Sequence, residues 1–380
     1  MKHVRGNLFL MKEINRSTIL SMLQREKALS RAEIAQTTKL SATTISSLVD
    51  ELIAEGFIVE LGEKSSPGAG RRAIMLEISR DNGFVISIGL GNRIFYGTLS
   101  NYHNDVIAEI TVPAVIGHEN VLECIRTCVS KLAAKANIQD LSMIKGIGIA
   151  SPGIVDESNE TITYSRSLGL KDFEIARELQ AYYPIPIHVM NDTNAAAFAE
   201  YYLLGNSDVK NVLYVWIYEG VGAGLIVNGQ VLSGYKGRAG EVTFLNDYLY
   251  DAPSVIKQAN RQAAKYDPNT IFEEIEDVIQ AYEAGVPWLE TMMRRVLQVL
   301  SKAVAIMMNL LGPEQVILDG WFIKSPKCMA IVHDNLEKYS VHTPYEPSRV
   351  TSAQLREKNY VVGASTIILY QLFKEKVLLT

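Results

Sequence analysis

The sequence predicts an α/β protein in two parts, a small helical head closed by a strand pair and a larger two-lobed body. Three observations carry this. Two short capped helices follow one another over residues 30–54 and lead into alternating strand residues. A plan of strand, glycine turn and strand occurs twice, over residues 83–99 and 211–229. Charge divides where the pattern divides: 12 Lys/Arg stand against 9 Asp/Glu through Arg80, and 25 against 33 beyond it.

With 380 residues, 48% hydrophobic and 21% charged, the chain is too apolar to be disordered and long enough for two or three domains. The net charge of −5 taken alone argues against a nucleic-acid partner. The basic head on an acidic body reverses that for the head, because such asymmetry is what a DNA-binding segment produces.

The head opens with a helix expected around Ile14–Gln24, with Ile19, Leu20 and Leu23 on one face. Ser30-Arg31-Ala32-Glu33 is a capping-box sequence and starts a short helix that ends near Thr38. After a tight connection through Lys39-Leu40, Ser41 can cap a second helix. There Ile45, Leu48, Val49, Leu52 and Ile53 fall at helical spacing on one apolar stripe, and Gly56 follows as a stop. The opposite face holds Thr43, Thr44, Ser46, Ser47 and Asp50. Small hydroxyl side chains there suit close approach to phosphates and base edges. Two short helices joined tightly, the second polar outside, describe a helix-turn-helix. The strand Phe57–Leu61 then turns through a Gly/Ser-rich tip and returns as Arg71–Ile78, which makes a wing with Arg71 and Arg72 at its base. Any helical hairpin gives the same periodicity, but helix, capped helix, hydroxyl-faced helix, wing and arginine pair in that order favour DNA binding.

The body begins at Gly83 with the first hairpin. A helix (121–136), a strand (144–150) and a strand (187–190) lead to Asn191-Asp192-Thr193-Asn194, then an apolar helix and the second hairpin. A long helix (287–311), a strand (315–318) and a last helix from near Val362 complete the alternation, which predicts two α/β lobes with a cleft. Gly220-x-Gly222-x-Gly224 is flanked by strands, so it is no dinucleotide fingerprint; its glycines either admit a phosphate or only shape the turn. Asp192 can bind sugar hydroxyls or act as a base, yet spacing alone favours an ordinary N-cap for this tetrapeptide. Glu241 is a second hydroxyl acceptor or a surface charge.

Cys124, Cys128 and Cys328 are sparse and odd in number, which predicts reduced thiols in the cytoplasm, and no C-x-x-C offers a zinc framework. The first residues carry Lys2, Arg5, Lys12 and Glu13 with no signal-peptide pattern. The apolar stretch Val296–Leu311 is broken by Lys302 and Asn309 and is too short to span a bilayer, so no membrane partner is expected.

The chain resembles the ROK family (repressor, open reading frame, kinase), in particular its xylose-repressor-like branch. The resemblance runs from the helix-turn-helix and Gly70-Arg71-Arg72 through Gly146–Gly153, Asn191-Asp192-x-Asn194-Ala195-Ala196 and Gly220–Gly229. It continues in Gly237-Arg238-Ala239-Gly240-Glu241-Val242 and ends at Gly363-Ala364. It implies an actin-like, ribonuclease-H-type body of two lobes and a homodimer on a palindromic double-stranded DNA operator. It also implies coupling of DNA affinity to a sugar, a sugar phosphate or a phosphocarrier partner.

The departures from ROK sugar kinases are informative. Their opening aspartate is Gly89 here, and their second phosphate loop becomes Tyr218-Glu219-Gly220, which puts a carboxylate where phosphate would sit. Asp192 keeps the place of the catalytic base without a donor site, so no catalytic residue, no kinase activity and no cofactor are expected. The family's zinc histidine is Phe244 and its cysteine cluster is absent, so no metal is expected. Arg166 stands where relatives read Pro-Asn-Leu; it either faces the cleft, where it would favour an anionic or larger effector, or points to solvent.

The expected organisation is therefore a winged helix-turn-helix over 1–80, a first lobe over 81–194 with the terminal helix 362–380, and a second lobe over 195–361 for effector binding and dimerisation. Arg31, Lys39, Ser41, Thr43, Thr44, Ser46, Ser47, Arg71 and Arg72 are the expected DNA contacts. Gly153, Arg166, Asn191, Asp192, Glu241 and Phe244 are the expected effector contacts. The function expected is repression of carbohydrate-metabolism genes; the alternative is a hexose kinase that has kept a DNA-binding head, and a third possibility is a repressor answering only to a protein partner.

Overall fold

A computed structural model describes residues 2–64, 73–205, 208–242, 250–340, 345–355 and 358–374. The head contains α1 (Lys2–Glu26), β1 (Leu29–Ser30), α2 (Arg31–Thr38), α3 (Ala42–Ala54), β2 (Ile58–Lys64) and β3 (Ala73–Ile78). Next come β4 (Phe84–Leu90), β5 (Ile94–Asn101), β6 (Val106–Pro113), α4 (His118–Lys135), β7 (Ile144–Ser151), β8 (Ile154–Asp156), β9 (Thr161–Ser165), β10 (Leu170–Phe173), α5 (Ile175–Gln180) and β11 (Ile187–Asn191). Then follow α6 (Asp192–Leu204), β12 (Val212–Ile217), β13 (Val221–Val227), β14 (Gln230–Val231), α7 (Ala252–Tyr266), α8 (Ile275–Glu283) and α9 (Pro287–Leu311). The chain closes with β15 (Gln315–Gly320), α10 (Pro326–Tyr339), β16 (Val350–Ser352) and α11 (Asn359–Lys374).

Two compact units form. The first holds residues 1–153, 158–190 and 364–380; the second holds 154–157 and 191–363. In the first unit β4 pairs antiparallel with β5 and parallel with β7, giving the sheet order β11-β7-β4-β5-β6. The second unit repeats this plan: β12 pairs antiparallel with β13 and parallel with β15, in the order β14-β13-β12-β15-β16. The duplication expected from the two glycine hairpins is thus present as two sheets of one strand order. In the second unit, α7 to α10 cover one face of the sheet in a single core that includes Leu213, Val215, Val296, Leu300 and Trp321.

Among the described residues the head shares its core with the body. Ile19, Leu23, Ile34, Ile45, Val49, Leu52, Ile58 and Leu76 form one cluster with Val85, Tyr102, Ile368, Leu369 and Phe373. Phe57 stacks on Tyr102 at 5.2 Å, and the Phe373 ring meets both edge-on at 6.1 and 6.0 Å. Helix starts lie earlier than expected. The first helix starts at Lys2 and runs through Gly6, and the last starts at Asn359, directly after Lys358 in the left-handed region.

Candidate nucleic-acid interface and effector site

The reading helix is placed by caps and by one apolar stripe. Ser30 Oγ accepts from the Glu33 amide while a Glu33 carboxylate oxygen accepts from the Ser30 amide at 2.7 Å, so the predicted capping box forms at α2. Lys39 takes a left-handed conformation that ends α2 and makes the tight turn. Ser41 Oγ then accepts from the Thr44 amide at 3.1 Å and opens α3. With Ile45, Leu48, Val49 and Leu52 buried, Thr43, Ser47 and Asp50 face solvent and Thr44 and Ser46 are partly exposed. Lys39 and Ser41 are exposed beside them. Thr44 Oγ1 lies 2.8 Å from Ser41 Oγ.

Arg31 is engaged within the head. Its guanidinium donates to Asp50 at 2.9 Å and Glu60 at 3.0 Å, tying α2 to α3 and β2. Sequence reasoning passed over Arg16, which is 7% exposed and bonds Glu51 of α3 and Glu55 at its C-terminal cap. The signal was available, because positions 16, 19, 20 and 23 lie on one helical stripe and the arginine heads it. Lys12 joins Glu51 at 2.8 Å, and its hydrogen bond holds the Glu51 carboxyl below its ordinary range. Arg71 and Arg72 lie outside the described residues; β2 and β3 pair up to Lys64 and Ala73, which lead to them.

The effector candidates fall in both units. Gly153 and Arg166 belong to the first, Gly153 with φ +99° and Arg166 exposed on the β9–β10 turn. Asn191, Asp192 and Glu241 belong to the second and gather at the start of α6. Asn191 Oδ1 caps this helix by accepting from the Asn194 amide at 3.0 Å, so the N-cap reading holds for Asn191. An Asp192 carboxylate oxygen accepts from the Thr193 amide at 2.7 Å. Burial pushes the Asp192 carboxyl up to about 6; the Thr193 donors oppose this and the negative charge of Glu241 adds to it. Burial raises the Glu241 carboxyl as well. Two carboxylates in one part-buried place suit a polyhydroxylated ligand, which can donate to both. Phe244 lies outside the described residues.

The glycines of β13 serve packing. A Cβ at Gly222 would meet the Thr193 side chain at 2.6 Å, and one at Gly224 would meet Ala197 Cβ at 2.4 Å. They let α6 lie directly on the strand, which answers neither the phosphate nor the turn reading. Gly240 (φ +79°) presses on the Ala223 carbonyl, to which a Cβ would come within 1.8 Å, and this brings Glu241 to α6. Glu157 also went unseen in the sequence: it accepts from Asn194 Nδ2 at 2.9 Å and from Ser233 Oγ. The kinase-like turns hold Gly91, whose amide donates to Ile94 O at 3.1 Å, and an exposed Glu219. A hollow of about 970 Å³ beside the second turn is lined by Tyr218, Glu219, Ile256, Lys257, Arg261 and Lys324.

The chain matches the ROK family model over residues 85–245 and 254–371, and the MarR family model over residues 14–72. The chain belongs to the ROK family. A putative xylose repressor of Caldicellulosiruptor sp. (strain Rt8B.4) is 36% identical over 62% of this chain and 59% of its own length, so the chain spans less than two thirds of that relative. The xylose repressor of Caldicellulosiruptor bescii is 30% identical over 82% of this chain and 84% of its own. The crystal structure of a ROK family transcriptional regulator, a homologue of the E. coli MLC protein, superposes with a TM-score of 0.81 at 21% identity over 97% of this chain and 98% of its own. A ROK family glucokinase from Streptomyces griseus, solved with glucose and AMPPNP, shares the fold with a TM-score of 0.63 at 18% identity over 75% of this chain and 99% of its own. The chain is therefore a winged helix-turn-helix joined to an actin-like ROK body. No helix among the described residues is long and apolar enough to cross a membrane.

Proposed function

We propose that this protein is a DNA-binding transcriptional repressor of carbohydrate-metabolism genes whose operator affinity is set by a sugar-like effector. The observation that carries the reading is α3, a helix capped by Ser41 that presents Thr43 and Ser47 outward from a fully apolar inner stripe. Thr43, Thr44, Ser46 and Ser47 read the major groove, and Lys39, Arg71 and Arg72 contact the backbone or the minor groove. Arg31 serves by holding α3 in place. Asn191, Asp192 and Glu241 bind effector hydroxyls; Gly153, Arg166 and Phe244 are the further contacts proposed. The relatives named as xylose repressors support a pentose or hexose ligand.

The protein acts as a homodimer on a palindromic duplex in the cytoplasm. The head's small positive surplus gives one head little nonspecific affinity, and linking two heads supplies the rest through effective concentration. Phosphotransfer is not part of the function: Gly89 offers no metal ligand and Glu219 repels a phosphate, although solved ROK kinases share the fold. Selection from a random duplex library followed by titration with D-xylose, D-glucose and N-acetylglucosamine tests the reading. Enrichment of a palindrome whose affinity one sugar changes supports it, and ADP release from ATP with any of these sugars would favour the kinase instead.

A further inference from the structure

We infer that α11 is a positioning rod that carries the state of α6 into the core of the DNA-reading head. This rests on the proposed reading that an effector at the start of α6 sets operator affinity. The first turn of α11 belongs to the second unit and the rest, from Ala364, to the first. Within the second unit that turn is held at three points. Asn359 Nδ2 donates to Asp319 Oδ2 and to Tyr214 Oη, both at 2.7 Å, and Tyr214 and Tyr218 donate to the same carboxylate at 2.6 and 2.7 Å. Asp319 is fully buried, so this network has no water to replace a lost partner. Gly363 lies against Ala195, one turn along α6 from Asp192, and a Cβ there would fall 1.9 Å from the Ala195 carbonyl oxygen. Glu200, also on α6 and 2% exposed, accepts from the Gln354 and Leu355 amides just ahead of α11.

Within the first unit the other end of the same helix is part of the head. Ile368, Leu369 and Phe373 pack in one cluster with Ile19, Ile45 and Leu52, and Phe373 meets Phe57 and Tyr102. A shift of α6 on ligand binding must either move Gly363 or break its contact, since backbone meets backbone there. α11 is buried along most of its length and behaves as a stiff element. The network around Asp319 thus fixes one end of a rod whose other end is head core, and Asn359 and Gly363 are positioning residues for the DNA-reading helix.

Hydrogen–deuterium exchange on the full chain tests this without knowing the ligand or the operator. Asn359→Ala removes two donated bonds and Gly363→Ala forces the backbones apart; if Gly363→Ala does not fold, Asn359→Ala carries the test. Val296→Ala is the control, a cavity in a core cluster that contains no residue of α6 or α11. We expect amides of α3 to exchange about tenfold faster in the two rod variants and at the wild-type rate in Val296→Ala. Wild-type rates in α3 of the rod variants, or equal acceleration in the control, would overturn the inference. The same proteins are then titrated with selected duplex and D-xylose, D-glucose or N-acetylglucosamine. We expect Asn359→Ala to bind sugar but to lose the sugar-induced change in duplex affinity. If no sugar changes wild-type affinity, the effector reading fails by itself, while the exchange result still decides the rod.

Discussion

Asp192 is the residue on which the proposed effector response turns. Its carboxyl rises from an ordinary 3.8 to about 6 in the fold, so the folded chain holds more protons than the unfolded one between those values. Its contribution to stability therefore declines as pH rises through that window and stays unfavourable above it. Asp192→Asn keeps an acceptor for the Thr193 amide and removes the buried charge. We expect the variant to gain about 1–2 kcal/mol over wild type at neutral pH and nothing at about pH 4, as read by urea unfolding at the two pH values. An equal difference at both would show that the carboxyl is not perturbed. Sugar binding is expected to be lost in the same variant with duplex binding intact.

At the scale of elements, the caps and the close packing of α6 give separable predictions. Ser30→Ala removes the hydroxyl that caps the Glu33 amide and keeps only the backbone bond to the Glu33 carboxylate, so about 1 kcal/mol of stability should go, measured by thermal unfolding. Gly224→Ala drives a methyl against Ala197 on α6 and should cost about 1–3 kcal/mol by overpacking, with a parallel loss of sugar affinity because α6 carries Asp192 and is capped by Asn191. Unchanged stability in Gly224→Ala would mean that α6 is free to move off β13. These elements also divide what was legible in the sequence from what was not. The α2 and α3 caps, the stripe of α3 and the doubled hairpins were readable because each is set by residues within a few positions of one another. The engagement of Arg31 by Asp50 and Glu60, the part played by Glu157 and the purpose of Gly222 and Gly224 were not. Each depends on a partner that the fold brings from further along the chain: Arg31 and Glu60 are 29 positions apart and Asn194 and Glu157 are 37. The pattern around Asp192 was visible as a motif, but its raised carboxyl depends first on burial, which only the fold supplies, and to a lesser extent on Glu241, nearly fifty residues away.

On the scale of the whole molecule, the acidic body and the basic head divide the work. The body's negative balance gives no attraction to DNA, so phosphate contacts must come from the head and its wing. Arg71→Ala with Arg72→Ala should weaken duplex binding and make the slope of log K against log salt shallower by about 1–2, since each lost phosphate contact removes roughly one unit. An unchanged slope would place the arginines away from the phosphates. The shared core of head and body adds a constraint: Val85, Tyr102 and Phe373 complete the packing around Phe57 and Ile58, so the head's orientation follows the first unit. The central claim is that one ligand site and one reading helix are coupled. It is tested most directly by measuring affinity for a selected palindromic duplex, with and without sugar, in wild type and in Asp192→Asn. The account predicts that a sugar shifts wild-type affinity about tenfold or more, a coupling within the ordinary range for such proteins, and leaves Asp192→Asn unmoved. An equal shift in both proteins, or none in wild type with any sugar, would contradict it.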